Sequence, residues 1–107
     1  MSQKIADLMS LKGKRALITG AAGHVGPVIA QVLMELGAEV CLTDHDAYKV
    51  SKKAEELGLD SNHWLSADLT NQGDMATIVD FAADRLLGLD CIIHAAALTG
   101  TGPGIRT

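Results

Sequence analysis

Three glycines stand at a spacing of three residues in the segment Thr19-Gly20-Ala21-Ala22-Gly23-His24-Val25-Gly26. Glycine permits a tight turn and a close approach to the backbone, because it has no Cβ. Where such a loop leads from a strand into a helix, the N–H groups at the helix N-terminus can bind phosphate. Gly20 suits the turn, Gly23 the approach of a pyrophosphate, and Gly26 the close packing of helix on strand. No Lys-Ser or Lys-Thr pair follows the glycines, so this is not a P-loop.

One carboxylate, Asp44, is placed to hold the other end of a dinucleotide. It follows Gly26 by eighteen residues (44 − 26) and lies at the predicted end of the second strand. A carboxylate there accepts hydrogen bonds from adenosine ribose hydroxyls, and it repels the extra phosphate of NADP. The alternative is that Asp44 caps the following helix, a task that Asp46 could also perform. The pattern predicts NAD as the cofactor rather than NADP.

The hydrophobic pattern supplies the elements that must position these residues. Short apolar runs over 14–19, 39–44, 63–67 and 90–96 predict strands, and apolar stripes at helical spacing separate them. The first stripe consists of Val25, Val28, Ile29, Val32, Leu33 and Leu36. A second helix is predicted over 47–57, and a third carries Met75, Ile78, Val79, Ala82, Ala83 and Leu86, with Thr70 or Asn71 as its cap.

This alternation of strands and helices predicts an α/β fold, a doubly wound parallel sheet of the Rossmann type. Right-handed crossovers leave few topologies, and we predict four strands in the order 3-2-1-4. One domain is expected over 1–107, with a glycine-rich loop or tail over 99–107. The fourth strand would form a sheet edge, through which two copies of the chain could pair as a homo-oligomer.

Composition excludes several classes of protein. Of the 107 residues 48% are hydrophobic, and the net charge is −4. This net negative charge argues against nucleic acid as a partner. No apolar run reaches the roughly 20 residues of a membrane span, and no secretory signal is found, so we expect a cytoplasmic protein. Cys41 and Cys91 are expected to be unpaired, buried thiols, and no cluster has metal-ligand spacing.

Taken together, the motifs resemble the short-chain dehydrogenase/reductase family. The resemblance rests on the glycine loop, on Asp68-Leu69 after the third strand, and on His94-Ala95-Ala96-Ala97 after the fourth. The glycine spacing TGxxGxxG and the segment HAAA are similar to the extended branch, which includes sugar-nucleotide epimerases and dehydratases. The resemblance covers residues from about 11 to 99 and corresponds to the N-terminal, cofactor-binding portion of that family.

The resemblance implies further cofactor contacts. Asp68 would bind the adenine amino group, and Leu69 would add a backbone contact. The alanines after the fourth strand would line the riboses, although tight strand packing also favours alanine. His94 is interpreted as a structural residue rather than a catalytic one. The predicted cofactor-binding residues are Gly20, Ala22, Gly23, His24, Val25, Gly26, Asp44, Asp68, Leu69, Ala95, Ala96 and Ala97.

Catalysis in the family uses a Tyr and a Lys four residues later, on the helix after the fifth strand. The sole tyrosine here, Tyr48, has Lys52 four residues on, but it lies on the helix after the second strand. That helix stands beside the adenosine end of the cofactor, so we predict a surface role for Tyr48 and no catalytic residue in this chain.

The sequence is compatible with several functions. The first is the NAD(P)-binding portion of an oxidoreductase of unknown substrate. The second is a non-catalytic dinucleotide-binding or redox-sensing module, and the third an NAD-dependent sugar-nucleotide epimerase or dehydratase. A methyltransferase-type domain also uses a glycine loop and an acidic residue, but the HAAA segment and the glycine spacing weigh against it.

Overall fold

The structure is a computed structural model that describes residues 10–68 and 72–95. In these two ranges strands and helices alternate along the chain, as the hydrophobic pattern predicts. The strands are β1 (Arg15–Thr19), β2 (Glu39–Asp44), β3 (Trp64–Ser66) and β4 (Cys91–His94). The helices are α1 (Val25–Glu35), α2 (Ala47–Glu56) and α3 (Gln72–Leu86), with a 3-10 turn over Ser61–His63. Strand β3 is shorter than predicted, and the predicted cap of α3 lies outside the described residues.

Within the described residues the four strands form one parallel sheet in the order β3-β2-β1-β4. This confirms the predicted doubly wound topology. Because the strands are parallel, their carboxyl ends meet at the same edge of the sheet. Thr19 lies beside His94 in the register of β1 and β4, and Asp44 lies beside Ser66 in the register of β2 and β3. The residues singled out for chemistry therefore lie at this edge.

Successive side chains of the two central strands point to opposite faces of the sheet, and each face has its own core. One core contains strand residues Ala16, Ile18, Val40 and Leu42 packed with Ala30 of α1 and with Val50 and Ala54 of α2. The other contains Leu17 and Cys41 packed with Ile78, Ala82 and Leu86 of α3. Two helices thus cover one face and one helix covers the other, as a doubly wound sheet requires.

Helix α1 buries only part of the predicted apolar stripe, since Ile29 and Leu33 pack against the core but the two valines of the stripe do not. Gly26 and Ala30 are its buried residues, whereas Val28 is 60% exposed and Val32 is 48% exposed. The prediction that both valines face the core is wrong. Small residues let the helix approach the sheet closely, and the two valines lie outside that contact.

The two cysteines differ in environment. Cys41 is buried on β2, and burial raises the pKa of its thiol from 9.0 to about 11, against a smaller opposing effect of Arg85. Cys91 is exposed, so the prediction that both thiols are buried is wrong for this residue. The reason is its place on β4, at the end of the strand order, where three of the four strand residues are exposed. Neither cysteine forms a disulfide.

Candidate cofactor-binding site

The loop between β1 and α1 makes the tight turn that its glycines predict. β1 ends at the buried Thr19, and Gly20 follows with φ +67°, in the left-handed region that favours glycine. The backbone N–H of Gly23 donates to the carbonyl oxygen of Gly20 at 3.2 Å, which closes the turn. Helix α1 then begins at Val25. The loop therefore connects the carboxyl edge of the sheet directly to the N-terminus of α1.

Gly26 packs against the beginning of this loop. A Cβ at this position would lie 2.8 Å from Cα of Ala21 and 2.8 Å from the carbonyl oxygen of Gly20. Both neighbours are backbone atoms, so a side chain could be accommodated only if the loop or the helix moved. Gly26 thus permits a close backbone approach of α1 to the loop that directly follows β1, whereas its predicted role was close packing of the helix on the strand itself.

The N-termini of α1 and α2 differ in how their N–H groups are used. The N-cap of α2 is Asp46, whose carboxylate accepts from the N–H of Lys49 at 3.0 Å. The N-cap of α1 is His24, an exposed residue whose side chain makes no capping hydrogen bond, and the first turn holds no acidic residue. The partial positive charge of α1 is therefore not offset by a side chain of its own first turn and can attract an anion.

The carboxylate of Asp44 connects the end of β2 to the glycine loop. Its Oδ2 accepts from the N–H of Ala22 at 3.0 Å, and its Oδ1 accepts from the N–H of Asp46 at 3.2 Å. Nδ1 of His45 lies 3.1 Å from the same Oδ1. The Asp44 side chain is 10% exposed. Asp46 is the cap of α2, so the capping alternative for Asp44 does not hold, and Asp44 instead holds the loop in place.

A contact that sequence reasoning missed joins the ends of β1 and β4. The hydroxyl oxygen of Thr19 lies 2.9 Å from Nδ1 of His94 and 3.4 Å from the carbonyl oxygen of Ile93. Thr19 is fully buried, and this contact gives His94 a structural partner, in agreement with the structural interpretation of that histidine. The sequence feature that could have indicated this contact is the position of Thr19, directly before the first glycine of the loop.

The remaining predicted cofactor residues lie in different environments. Asp68 follows β3 and is exposed, and its backbone N–H donates to the carboxylate of Asp74 at 3.1 Å. Ala95 is fully buried in the core, which fits the packing interpretation, and its ribose contact stays a prediction. Val25 is half-buried at the start of α1. Leu69, Ala96 and Ala97 lie outside the described residues.

Tyr48 lies on the surface, on α2. Its side chain is 71% exposed, and Nζ of Lys52 lies 5.6 Å from the centroid of its ring. The two residues border a groove of about 430 Å³ between α2 and the glycine loop, which is also lined by Gly23 and His24. This places the pair beside the loop that leads into α1, as the sequence predicts, and not next to β4.

The described residues contain neither a candidate membrane-spanning helix nor a candidate metal-binding cluster. Between residues 10 and 68 and between 72 and 95, no helix has the length and apolar character needed to cross a membrane. The same ranges hold no group of three or more His, Cys, Asp or Glu side chains arranged to hold a metal ion.

Comparison with known proteins agrees with this geometry. A family model described as short chain dehydrogenase matches residues 14–106. Momilactone A synthase of Oryza sativa subsp. japonica is 36% identical over 95 residues, which cover 89% of this chain and 35% of that protein. Zerumbone synthase of Zingiber zerumbet is 33% identical over 93 residues, which cover 86% of this chain and 35% of that protein. The chain thus spans 35% of the length of these curated relatives.

Solved structures give the same result. A short-chain type dehydrogenase/reductase from Mycobacterium marinum superposes with a TM-score of 0.74 at 30% identity, covering 86% of this chain and 37% of that one. A 3-ketoacyl-(acyl-carrier-protein) reductase from Brucella melitensis, solved in complex with NADH, superposes with a TM-score of 0.71 at 31% identity. It covers 78% of this chain and 34% of that one. The chain belongs to the short chain dehydrogenase family, whose members bind a nicotinamide dinucleotide.

Proposed function

We propose that the chain is the cofactor-binding portion of a short chain dehydrogenase and binds NAD(H) at the carboxyl edge of its sheet. The observation that carries this proposal is the hydrogen bond between Ala22 and Asp44. It joins the two parts of the sequence pattern, the glycine loop and the acidic end of β2, in one rigid arrangement. The N-terminus of α1 opens at the same place, with no side-chain cap.

Each part of the cofactor has residues that fit it. The pyrophosphate would lie at the N-terminus of α1, over Gly23, where backbone N–H groups and the helix dipole attract negative charge. The adenosine ribose would donate to Asp44, and the adenine would lie toward Asp68. The nicotinamide half would extend along the end of β4 toward Ala95. When bound, the nicotinamide ring supplies or accepts a hydride.

A preference for NAD over NADP is part of the proposal. Asp44 carries a negative charge at the place where the adenosine ribose would bind, and a 2′-phosphate there would be repelled. The Brucella melitensis reductase, which is similar over this region, was solved with NADH. Because its backbone partners hold Asp44 in place, the carboxylate cannot simply turn away from an added phosphate.

The reaction proposed for the whole protein is hydride transfer to or from a carbonyl or alcohol, in the cytoplasm. One observation favours a second candidate, a sugar-nucleotide epimerase or dehydratase. This is the glycine spacing TGxxGxxG together with the HAAA segment at the end of β4. The exposed Tyr48 on α2 supports neither reaction, because it lies beside the glycine loop.

The test is calorimetric titration of the chain with NADH. Gly23→Val would place a branched side chain where the pyrophosphate approaches the backbone, and we expect it to abolish binding while circular dichroism stays unchanged. Gly58→Asn is the matched control. Gly58 follows α2 with φ +80°, which asparagine tolerates, and a Cβ there meets no atom within 4 Å. Undiminished NADH binding by a folded Gly23→Val protein would overturn the assignment of the loop.

A further inference from the structure

We propose that the groove between α2 and the glycine loop is the entry path of the cofactor, and that its lysines accelerate association by electrostatic steering. The groove has a volume of about 430 Å³, and its lysines are Lys49, Lys52 and Lys53. The inference rests on the proposed function, because it takes the pyrophosphate to lie over Gly23. It adds to that function residues that act on the rate of binding and not on the bound cofactor.

The three lysines share one face of α2. Residues three and four positions apart are neighbours on a helix surface, so Lys49, Lys52 and Lys53 lie together. The buried residues of the helix, Val50 and Ala54, pack into the core on its other side. Lys49 and Lys52 are exposed, and Lys53 is half-buried. The sequence of α2 thus lines the groove with cationic side chains, across from the glycine loop.

Most of this positive charge is not compensated. Glu56 is the single acidic side chain among the described residues that line the groove, and its carboxylate lies 3.5 Å from Nζ of Lys53. Across the described part of the chain, no carboxylate lies within ion-pair distance of Lys49 or Lys52. Nζ of Lys52 lies 5.6 Å from the centroid of the Tyr48 ring, a neutral group that leaves the charge in place. Two cationic side chains therefore stand beside the uncapped N-terminus of α1.

Other routes to the same edge of the sheet are acidic. The chain has a net charge of −4, and Asp44, Asp46 and Asp68 stand at the end of β2, at the N-cap of α2 and after β3. A pyrophosphate carries a negative charge on each phosphate, so these carboxylates repel it as it approaches. An approach along α2 is attracted instead and ends at Gly23, which lines the groove. A cleft lined by charge of one sign concentrates ligands of the opposite sign and raises their association rate.

Steering has a kinetic signature that a direct contact lacks. It changes the association rate and its salt dependence, whereas the loss of a close contact to the bound ligand changes the dissociation rate. In strongly charged clefts steering raises association rates by about 10-fold to 1,000-fold, and two uncompensated lysines put the expected effect at about threefold to tenfold. Salt removes it, because the Debye length falls from about 30 Å at 0.01 M to about 3 Å at 1 M ionic strength.

The experiment measures association and dissociation rates of NADH by stopped-flow fluorescence at about pH 8, where histidine is ordinarily neutral. The double variant Lys49→Gln with Lys52→Gln should associate about threefold to tenfold more slowly than the parent at about 0.01 M ionic strength. Its dissociation rate should stay within about twofold of the parent's, and the difference in association rate should vanish at about 1 M. Glu56→Gln removes the acidic group of the groove and the partner of Lys53, so it should associate faster than the parent.

The matched control is Lys12→Gln with Lys14→Gln, which changes the net charge equally at exposed positions before β1, toward the opposite edge of the sheet. This control should keep the association rate of the parent within about twofold. Equal slowing in both double variants would show an effect of net charge alone and would overturn the entry path. Faster dissociation of the groove variant at an unchanged association rate would make the lysines contacts of the bound cofactor, and it too would overturn steering. Both results leave the proposed function intact, whereas absence of NADH binding by the parent would overturn that function.

Discussion

Gly26 lies so close to Gly20 that a Cβ on Gly26 would be 2.8 Å from the carbonyl oxygen of Gly20. The first residue of the glycine loop and the first turn of α1 are therefore in backbone contact. This contact fixes the angle at which the helix N-terminus leaves the sheet, and with it the direction of the N–H groups that would hold the pyrophosphate.

Gly26→Ala is expected to destabilise the chain by about 1–3 kcal/mol, because the added methyl group must push backbone atoms apart. The free energy of unfolding from urea denaturation measures this effect. Gln31→Ala, at an exposed position of the same helix, should change that free energy by less than about 0.5 kcal/mol. If the two variants are equally stable, the packing between Gly26 and Gly20 is looser than described.

Asp44→Ala is expected to weaken NADH binding by roughly tenfold to a hundredfold. A hydrogen bond to a charged group contributes about 1.5–3 kcal/mol, and each 1.4 kcal/mol is about tenfold in affinity. The same variant should bind NADPH better than the parent does, since the repulsion of the 2′-phosphate is removed. Calorimetry with both cofactors measures both effects, and equal affinity of the parent for NADH and NADPH would contradict the assigned preference.

Asp46→Ala is the matched control for that substitution. Asp46 caps α2 through the N–H of Lys49, so its loss should cost about 1 kcal/mol of stability. Because Asp46 offers Asp44 only its backbone N–H, which alanine keeps, NADH affinity should stay within about twofold. An equal loss of affinity in both variants would show that the end of β2 acts through stability alone.

The two thiols are expected to react at very different rates. Cys91 is exposed, whereas Cys41 is buried and has its pKa raised to about 11. The thiolate is the reactive form, so Cys41 should be inert near neutral pH. Titration with a disulfide reagent should detect one thiol in the native chain and both after denaturation. Cys91→Ser should leave no reactive thiol in the native state, and rapid labelling of Cys41 would contradict its placement in the core.

Self-association through β4 is expected at high concentration. Among the described strands, β4 pairs only with β1 and ends the strand order, and Ile92 is 37% exposed. An edge strand with unpaired N–H and C=O groups favours pairing with another chain. Light scattering should show mass increasing with concentration, and Ile92→Lys should suppress the increase. Val28→Lys, at the exposed valine of α1, is the control, and a stable monomer at high concentration would argue against pairing at this edge.

The limits of most elements could be predicted from periodicity and glycine positions. The strand order could be predicted because right-handed crossovers leave few topologies. The 3.6-residue stripe of α3 matches its buried residues Ile78, Ala82 and Leu86. The buried face of α1 could not be predicted from hydrophobic periodicity. Its buried residues are Gly26 and Ala30, and small residues carry too little hydrophobic character to appear in an apolar stripe. Of the stripe itself, Ile29 and Leu33 pack against the core, whereas Val28 and Val32 are exposed.

The sequence predicts which residues lie at the candidate site, but it predicts few of the contacts between them. Sequence spacing identifies Asp44 and the glycine loop, but not the hydrogen bond between Asp44 and Ala22, because that bond depends on how the loop folds back toward β2. The partnership of Thr19 and His94 was missed for a similar reason. It arises from the register of β1 against β4, which hydrophobic periodicity does not determine.

The contact between Thr19 and His94 also bears on the order in which the chain folds. It closes a loop of 75 residues, whereas the bond between Ala22 and Asp44 closes one of 22. By chain entropy alone the longer closure costs about 1 kcal/mol more, since each doubling of length adds about 0.6 kcal/mol. The glycine loop and the end of β2 can therefore associate early, while the first part of the chain emerges during synthesis. The pairing of β1 with β4 is completed only after His94 has been added.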